Sequence, residues 1–334
     1  MRHGSQQPRG PARRVAMGLR RARNHGRSTV PALLAALALG LAPAACGGTS
    51  DDGSTAVTVP PPAAPSTGAA RRPAPPPSAN ATRPPAPPPS TPARTDAPPR
   101  SQTDPARPDL PADLEIGFAG VGAEGAWVLR RRGERDDPVV LFLHGWTAVA
   151  PELYGPWLTH LVREGSTVGY PVYQDAPFLA PAVAFEGVVA GVRAAVKEEQ
   201  LPREDWVVAG HSAGGALSAD YAARAEELGL PPAQGVFAAF PGRQIGDNPL
   251  RIPEADPAGI PATTRLVALY GVRDATVGDK TAKRTIARAR ADVEQLIRVE
   301  DPAVSDHLGP ARSGPATRRV FWRRLDALIV AVRG

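Results

Sequence analysis

The chain is poor in several residue types, and each shortage narrows its class. Cysteine occurs once in 334 residues, at Cys46. That excludes a disulfide framework and a multi-cysteine zinc site. Lysine occurs only at 197, 280 and 283, so nearly all of the 39 basic residues are arginine. Acidic residues are missing altogether from the first 45 positions, where eight arginines stand. The formal net charge of +6 therefore resides in that leader, and beyond it acidic residues slightly outnumber basic ones. Basic charge confined to a leader is not the footprint of a nucleic-acid surface, so no nucleic-acid partner is expected. Proline, by contrast, is abundant: 40 residues, 19 of them between positions 60 and 111. No compact core tolerates so many residues lacking an N–H. The folded part is expected after residue 111, and the roughly 220 residues that remain are ample for one core.

Residues 30–45 read VPALLAALALGLAPAA, an apolar run behind a basic stretch. The run is short for a membrane-spanning helix and ends in small residues, the pattern of a secretory signal peptide over 1–45. Met17 gives a more usual basic region and is a plausible true start. The run ends in Ala44-Ala45-Cys46-Gly47-Gly48, which resembles a bacterial lipoprotein signal, cut before a cysteine that receives lipid. Pro43 departs from that pattern, since leucine is usual there. Ordinary cleavage after Ala42-Pro43-Ala44 is the plainer alternative and would leave Cys46 a spare thiol. Residues 46–112, rich in Pro, Ala, Ser and Thr with APPP repeated, cannot bury enough surface to fold. They read as a disordered tether holding a domain (113–334) off a membrane surface.

Within 113–334, apolar stretches alternate with helical patterns. Strands are expected at 113–119, 124–131, 138–145, 165–173, 205–210, 235–242, 264–271 and 294–300. Phe185, Val188, Val189, Val192 and Val196 mark one helix face, and Phe321, Leu325, Leu328, Ile329 and Val332 another. Such alternation predicts an α/β fold, a mostly parallel central sheet with helices on both faces.

The most informative stretch is Gly210-His211-Ser212-Ala213-Gly214, a G-x-S-x-G with an apolar strand before it and a helix of small residues after it. Alone the motif is weak; in this context it places a serine nucleophile on a sharp strand-to-helix turn. A serine hydroxyl needs a base, usually histidine. Of six histidines, His3 and His25 lie in the leader. His144 closes a strand, His160 falls in a helix, and His211 precedes the nucleophile and should point away from it. His307 remains, in a polar loop beyond the last strand, where catalytic groups of open α/β sheets gather. Asp274, one loop past strand 264–271, is the leading partner for His307, with Asp279 and Asp306 as alternatives.

The elbow, the strand pattern and the order Ser, Asp, His together resemble the α/β-hydrolase family over about 113–334. That resemblance implies an oxyanion hole formed by the N–H of Ala213 and a second N–H after His144-Gly145, assigned to Trp146 with Thr147 as alternative. It implies hydrolysis of a carboxylic ester, small or surface-bound, with no metal or cofactor. The same constellation serves thioesterases, acyltransferases and peptidases. A catalytically silent lipoprotein using the fold as a binding module is the reading from another class. Prolines 249, 253, 257 and 261 forbid a regular helix in 243–263, so an extended rim rather than a large cap domain is expected there. Trp146, Tyr154, Phe178 and Phe240 are candidate apolar walls of an open cleft. If Cys46 carries lipid, Cys46→Ser should move the protein from the detergent phase to the aqueous phase of a Triton X-114 extraction. Identical partitioning of wild type and variant would show that the anchor is absent.

Overall fold

The computed structural model describes residues 105–334, apart from 136, 175–180, 246–247 and 251. The expected signal peptide, Cys46, most of the tether and Phe178 lie outside the described residues. The chain enters the domain through 105–112, where Pro108 is buried and Leu110 packs against the core. Asp109 N–H donates to Glu152 Oε1 at 2.9 Å.

Eight strands form the main sheet: β1 (Leu114–Ala119), β2 (Ala126–Arg131), β3 (Val139–Leu143), β4 (Thr167–Pro171), β5 (Trp206–His211), β6 (Ala233–Ala239), β9 (Arg265–Gly271) and β10 (Val293–Val299). A two-residue hairpin, β7 (Gln244–Ile245) with β8 (Asn248–Pro249), stands apart from it. The spatial order is β1-β2-β4-β3-β5-β6-β9-β10. β2 alone runs against its neighbours β1 and β4; all the other pairs are parallel. The helices are α1 (Gly155–Arg163), α2 (Ala184–Glu198), α3 (Ala213–Arg224), α4 (Lys280–Arg288), the single turn α5 (Pro315–Thr317) and α6 (Arg323–Arg333). A π turn over Arg318–Trp322 links the last two.

β3 is buried at every residue, which is why it reads as an unbroken apolar run rather than an alternation. Its side chains still alternate between faces. Val140 and Phe142 join the cluster containing Trp157 of α1, Phe321 and Trp322 of the π turn and Leu325 of α6. Val139, Leu141 and Leu143 join the cluster containing Val188 and Val192 of α2 and Leu217 of α3. One strand thus anchors two helix layers, and the apolar faces read at 185–196 and 321–332 are those that are buried.

One helix was not read from the sequence, and one segment differs from expectation. α4 carries no apolar stripe: its buried residues are Thr281, Ala282 and Thr285. Small side chains let it lie against Ala238 and Ala268 of the sheet, so close packing replaces hydrophobic periodicity. The proline-punctuated segment 243–263 is not one extended rim. It holds the hairpin and a 3-10 turn at Pro257–Gly259, and it contains no α-helix among its described residues. Ile252 and Ile260 are buried in the cluster shared with α3. Ala255 N–H donates to the buried carboxylate of Asp220 on α3 at 2.9 Å, and Arg243 pairs with the same group at 2.7 Å. The segment is therefore pinned along α3.

Strand order reverses between β3 and β5. From β3 the chain crosses to β4 on one side, and from β5 it proceeds through β6 and β9 to β10 on the other. Ligands of open α/β sheets bind outside the carboxyl ends of the strands at this switch point. There the first turn of α3 lies against the end of β3. A Cβ on Gly214 would overlap the carbonyls of both Leu143 and His144, backbone groups that cannot swing aside. Gly214→Ala should therefore cost more than about 3 kcal/mol and lower the melting temperature by roughly 6 °C or more, measurable by differential scanning fluorimetry.

Candidate active site

Ser212 follows β5 directly and precedes α3, with φ 58° and ψ −122°. Such backbone angles cost a non-glycine residue about 1–3 kcal/mol and persist only where neighbours enforce them. Here Ser212 N–H donates to Ala239 O at 3.1 Å, and Ser212 O accepts from Ala216 and Gly242 N–H at 3.1 and 3.0 Å. Gly210 admits the carbonyl of Gly214 where a side chain would overlap it. Each glycine flanking the turn thus has a specific backbone contact that excludes a side chain.

The loop after β10 arches back across the sheet and brings His307 to Ser212. His307 Nε2 stands 3.0 Å from Ser212 Oγ, and Nδ1 stands 2.8 Å from Asp274 Oδ2. Asp274 is fully buried at its side chain. Its other oxygen, Oδ1, accepts from Thr276 and Val277 N–H at 2.9 and 3.1 Å. The carboxylate is thus held in one orientation, with Oδ2 left for the imidazole. The two alternative acids are engaged elsewhere. Asp306 pairs with Arg312 at 2.7 Å, and that hydrogen bond leads the causes holding its carboxyl below the ordinary value. Asp279 pairs with Lys283 at 2.6 Å.

The remaining described histidines do not reach Ser212 Oγ. His160 bonds Asp326 at 3.0 Å. His144 is buried, stacked on Tyr173 at 4.0 Å, with its ring nitrogens 2.7 Å from the carbonyls of Gly145 and Val172. Burial lowers it to about 4, against the opposite pull of those carbonyls. His211, expected only to point away from the nucleophile, carries a further contact that sequence reading missed. Its Nε2 lies 2.8 Å from the carbonyl of His307. That oxygen can only accept, so Nε2 bears the hydrogen and Nδ1 is a lone pair. Tyr154 O–H donates to Nδ1 at 2.8 Å, and the Tyr154 oxygen accepts from Gly145 N–H at 3.0 Å. One buried chain therefore ties the loop after β3 to the backbone of His307. Burial, reinforced by the nearby His307, lowers His211 to about 3.

Ala213 opens α3, so its N–H is among the orphan donors of a helix start. Trp146 N–H donates to no group among the described residues, whereas Thr147 N–H is taken by Gln174 Oε1 at 2.9 Å. Of the four candidate walls, Tyr154 and Phe240 are buried in the core; Tyr154 turns its hydroxyl inward and Phe240 packs edge-on to Phe321 at 5.4 Å. Trp146 is partly exposed, and Phe178 falls outside the described residues. Among the described residues, no three His, Cys, Asp or Glu side chains converge as a metal-ligand set.

His211 is neutral when folded but protonates near 6.5 in the unfolded chain. Below about pH 6.5 the unfolded state therefore binds the extra proton, and the stability this group contributes falls with falling pH until the folded value is reached. The slope is up to about 1.4 kcal/mol per pH unit. Urea unfolding should show the pH dependence of stability between pH 6 and 4.5 to be shallower by about 1 kcal/mol per unit in His211→Gln than in the wild type.

A family model described as an alpha/beta hydrolase fold matches residues 140–299. No curated protein matches the sequence. Among solved structures, a bacterial heroin esterase superposes with a TM-score of 0.55 at 16% identity, covering 68% of this chain and 87% of its own. Carboxyl esterase 2 from Tuber melanosporum gives 0.53 at 16% identity, covering 70% and 94%. A thermostable esterase from Pseudomonas putida ECU1011 gives 0.52 at 18% identity, covering 66% and 84%. At such identities the likeness is one of fold, and it agrees with the strand order, the elbow and the match to the family model: the chain from β1 to α6 has the α/β-hydrolase fold.

Proposed function

We propose that the protein is an exported serine hydrolase that cleaves carboxylic esters. The observation that carries this reading is the single imidazole of His307 standing between Ser212 Oγ at 3.0 Å and a buried Asp274 carboxylate at 2.8 Å. Nδ1–H donates to Asp274, which leaves the Nε2 lone pair facing the serine hydroxyl. Nε2 takes the Ser212 proton as Oγ attacks the ester carbonyl. Asp274 stabilises the imidazolium that forms and keeps its own charge. Ala213 N–H and Trp146 N–H receive the oxyanion, each worth about 3 kcal/mol of barrier. Collapse expels the alcohol, protonated by His307, and water then repeats the sequence on the acyl-enzyme.

The named structural neighbours are esterases, which favours an ester over a thioester or amide. The leader and tether support display outside the inner membrane through a lipid on Cys46. The segment 243–263 runs along α3, so the reading is of an open cleft suited to short acyl chains, or to esters on a larger body. The rival is a binding module that kept the fold without turnover, and labelling of Ser212 by a fluorophosphonate separates the two.

Ser212→Ala and His307→Ala should each remove nearly all hydrolysis of p-nitrophenyl acetate, and the double variant should lose little more, because the groups act as a unit. Asp274→Asn should lose a smaller but still large factor. Acetate and butyrate esters should turn over faster than palmitate. A rate jump above the solubility limit of a long-chain ester would show a moving lid.

A further inference from the structure

The turn that carries Trp146 is strained in a way its own sequence does not relieve. Ala148 N–H donates to Gly145 O at 2.9 Å, closing a four-residue turn over 145–148. Its third residue, Thr147, has φ 70°. Turns with positive φ at that position ordinarily place glycine or asparagine there. A β-branched residue with positive φ is an outlier that something outside the turn must enforce.

The enforcing group is in the structure. Thr147 N–H donates to Oε1 of Gln174 at 2.9 Å. Gln174 lies three residues past the end of β4 and is completely buried. An N–H can only donate, so the atom facing it must be the amide oxygen. Its Nε2 is buried with no partner among the described residues. On the other side of Trp146, Gly145 N–H donates to Tyr154 Oη at 3.0 Å. The rigid peptide plane bearing Trp146 N–H therefore lies between two peptides that are each clamped by a buried side chain.

We infer that Gln174 is a positioning residue for hydrolysis: by holding Thr147 at positive φ it keeps Trp146 N–H aimed at the oxyanion. The inference rests on the catalytic reading above, in which Trp146 N–H is an oxyanion donor. Gln174 touches neither the nucleophile nor the base. Without its acceptor, Thr147 relaxes toward negative φ, and the competent turn is present in only a fraction of molecules. Catalysis falls by that fraction, while ground-state binding of the ester is little changed.

The test is a pair of backgrounds. Gln174→Leu keeps an apolar side chain in the buried space and removes the acceptor. It should lower kcat for p-nitrophenyl acetate at least about 30-fold, short of the roughly 100- to 1000-fold loss for removing an oxyanion donor outright, with KM changed less than about threefold. In a Thr147→Gly background, where glycine adopts φ 70° freely, the same Gln174→Leu change should cost less than about threefold in kcat. An equal loss in both backgrounds, or full activity in Gln174→Leu, would overturn the inference. Amide hydrogen exchange reads the clamp without turnover. Thr147 N–H should be protected in the wild type and exchange at least about tenfold faster in Gln174→Leu, and unchanged exchange would also overturn it. A wild type protected at Thr147 that hydrolyses no ester would overturn the catalytic reading and leave the clamp standing.

Discussion

The site depends on one close backbone approach: the first turn of α3 against the carboxyl end of β3. Gly214 meets the carbonyls of Leu143 and His144 there, and Gly210 meets the carbonyl of Gly214. With no side chain tolerated at either position, the residue between them has nowhere to go but φ 58°, ψ −122°. That strain lifts Ser212 out of the sheet's end. It also brings the turn after β3 beside Ser212, since a Cβ on Gly145 would lie 3.4 Å from Ser212 Cβ. The placement of Ser212 beside that turn thus follows from one contact at the point where strand order reverses.

Around that contact the groups are fixed by buried hydrogen bonds of single polarity. Asp274 accepts two backbone N–H bonds on one oxygen and leaves the other for His307. His211 donates to the backbone of His307 and accepts from Tyr154, which in turn accepts from Gly145 N–H. Since each donor has one hydrogen to give, the direction of the chain determines the tautomer of His211 without a second solution. Such buried networks are costly when incomplete and rigid when complete. Here they connect the loop after β10 to the turn after β3. Arg312 removes the competing carboxylate of Asp306 by pairing with it in the loop.

Strand positions were legible in the sequence to within a few residues because strands buried on both faces must be continuously apolar, as at 139–143 and 206–211. The two long helices were legible because each buries one stripe. α4 was not, because its buried residues are Thr281, Ala282 and Thr285, and with Ile286 as its one large apolar contact it leaves no periodic signal. Ser212 was legible through the glycines that its backbone demands, and His307 through elimination among few histidines. Tyr154 and Phe240 looked equally suited to line a cleft, yet both are core residues. Exposure is decided by what the rest of the chain places over a side chain, which composition does not record.

What the sequence determined by itself was the class of fold, the elbow and a short set of candidate partners, since these follow from burial, steric demand and residue chemistry over a few neighbouring positions. What only the tertiary structure decided was which carboxylate faces His307, which N–H in the turn after β3 is already taken, and that Gln174, Tyr154 and His211 hold the pieces together. Those choices rest on contacts spanning 33, 27, 57 and 96 residues. A polar side chain far along the chain gives no local pattern, and its partner is chosen only when the sheet order and the arching loop after β10 bring the two within hydrogen-bond distance.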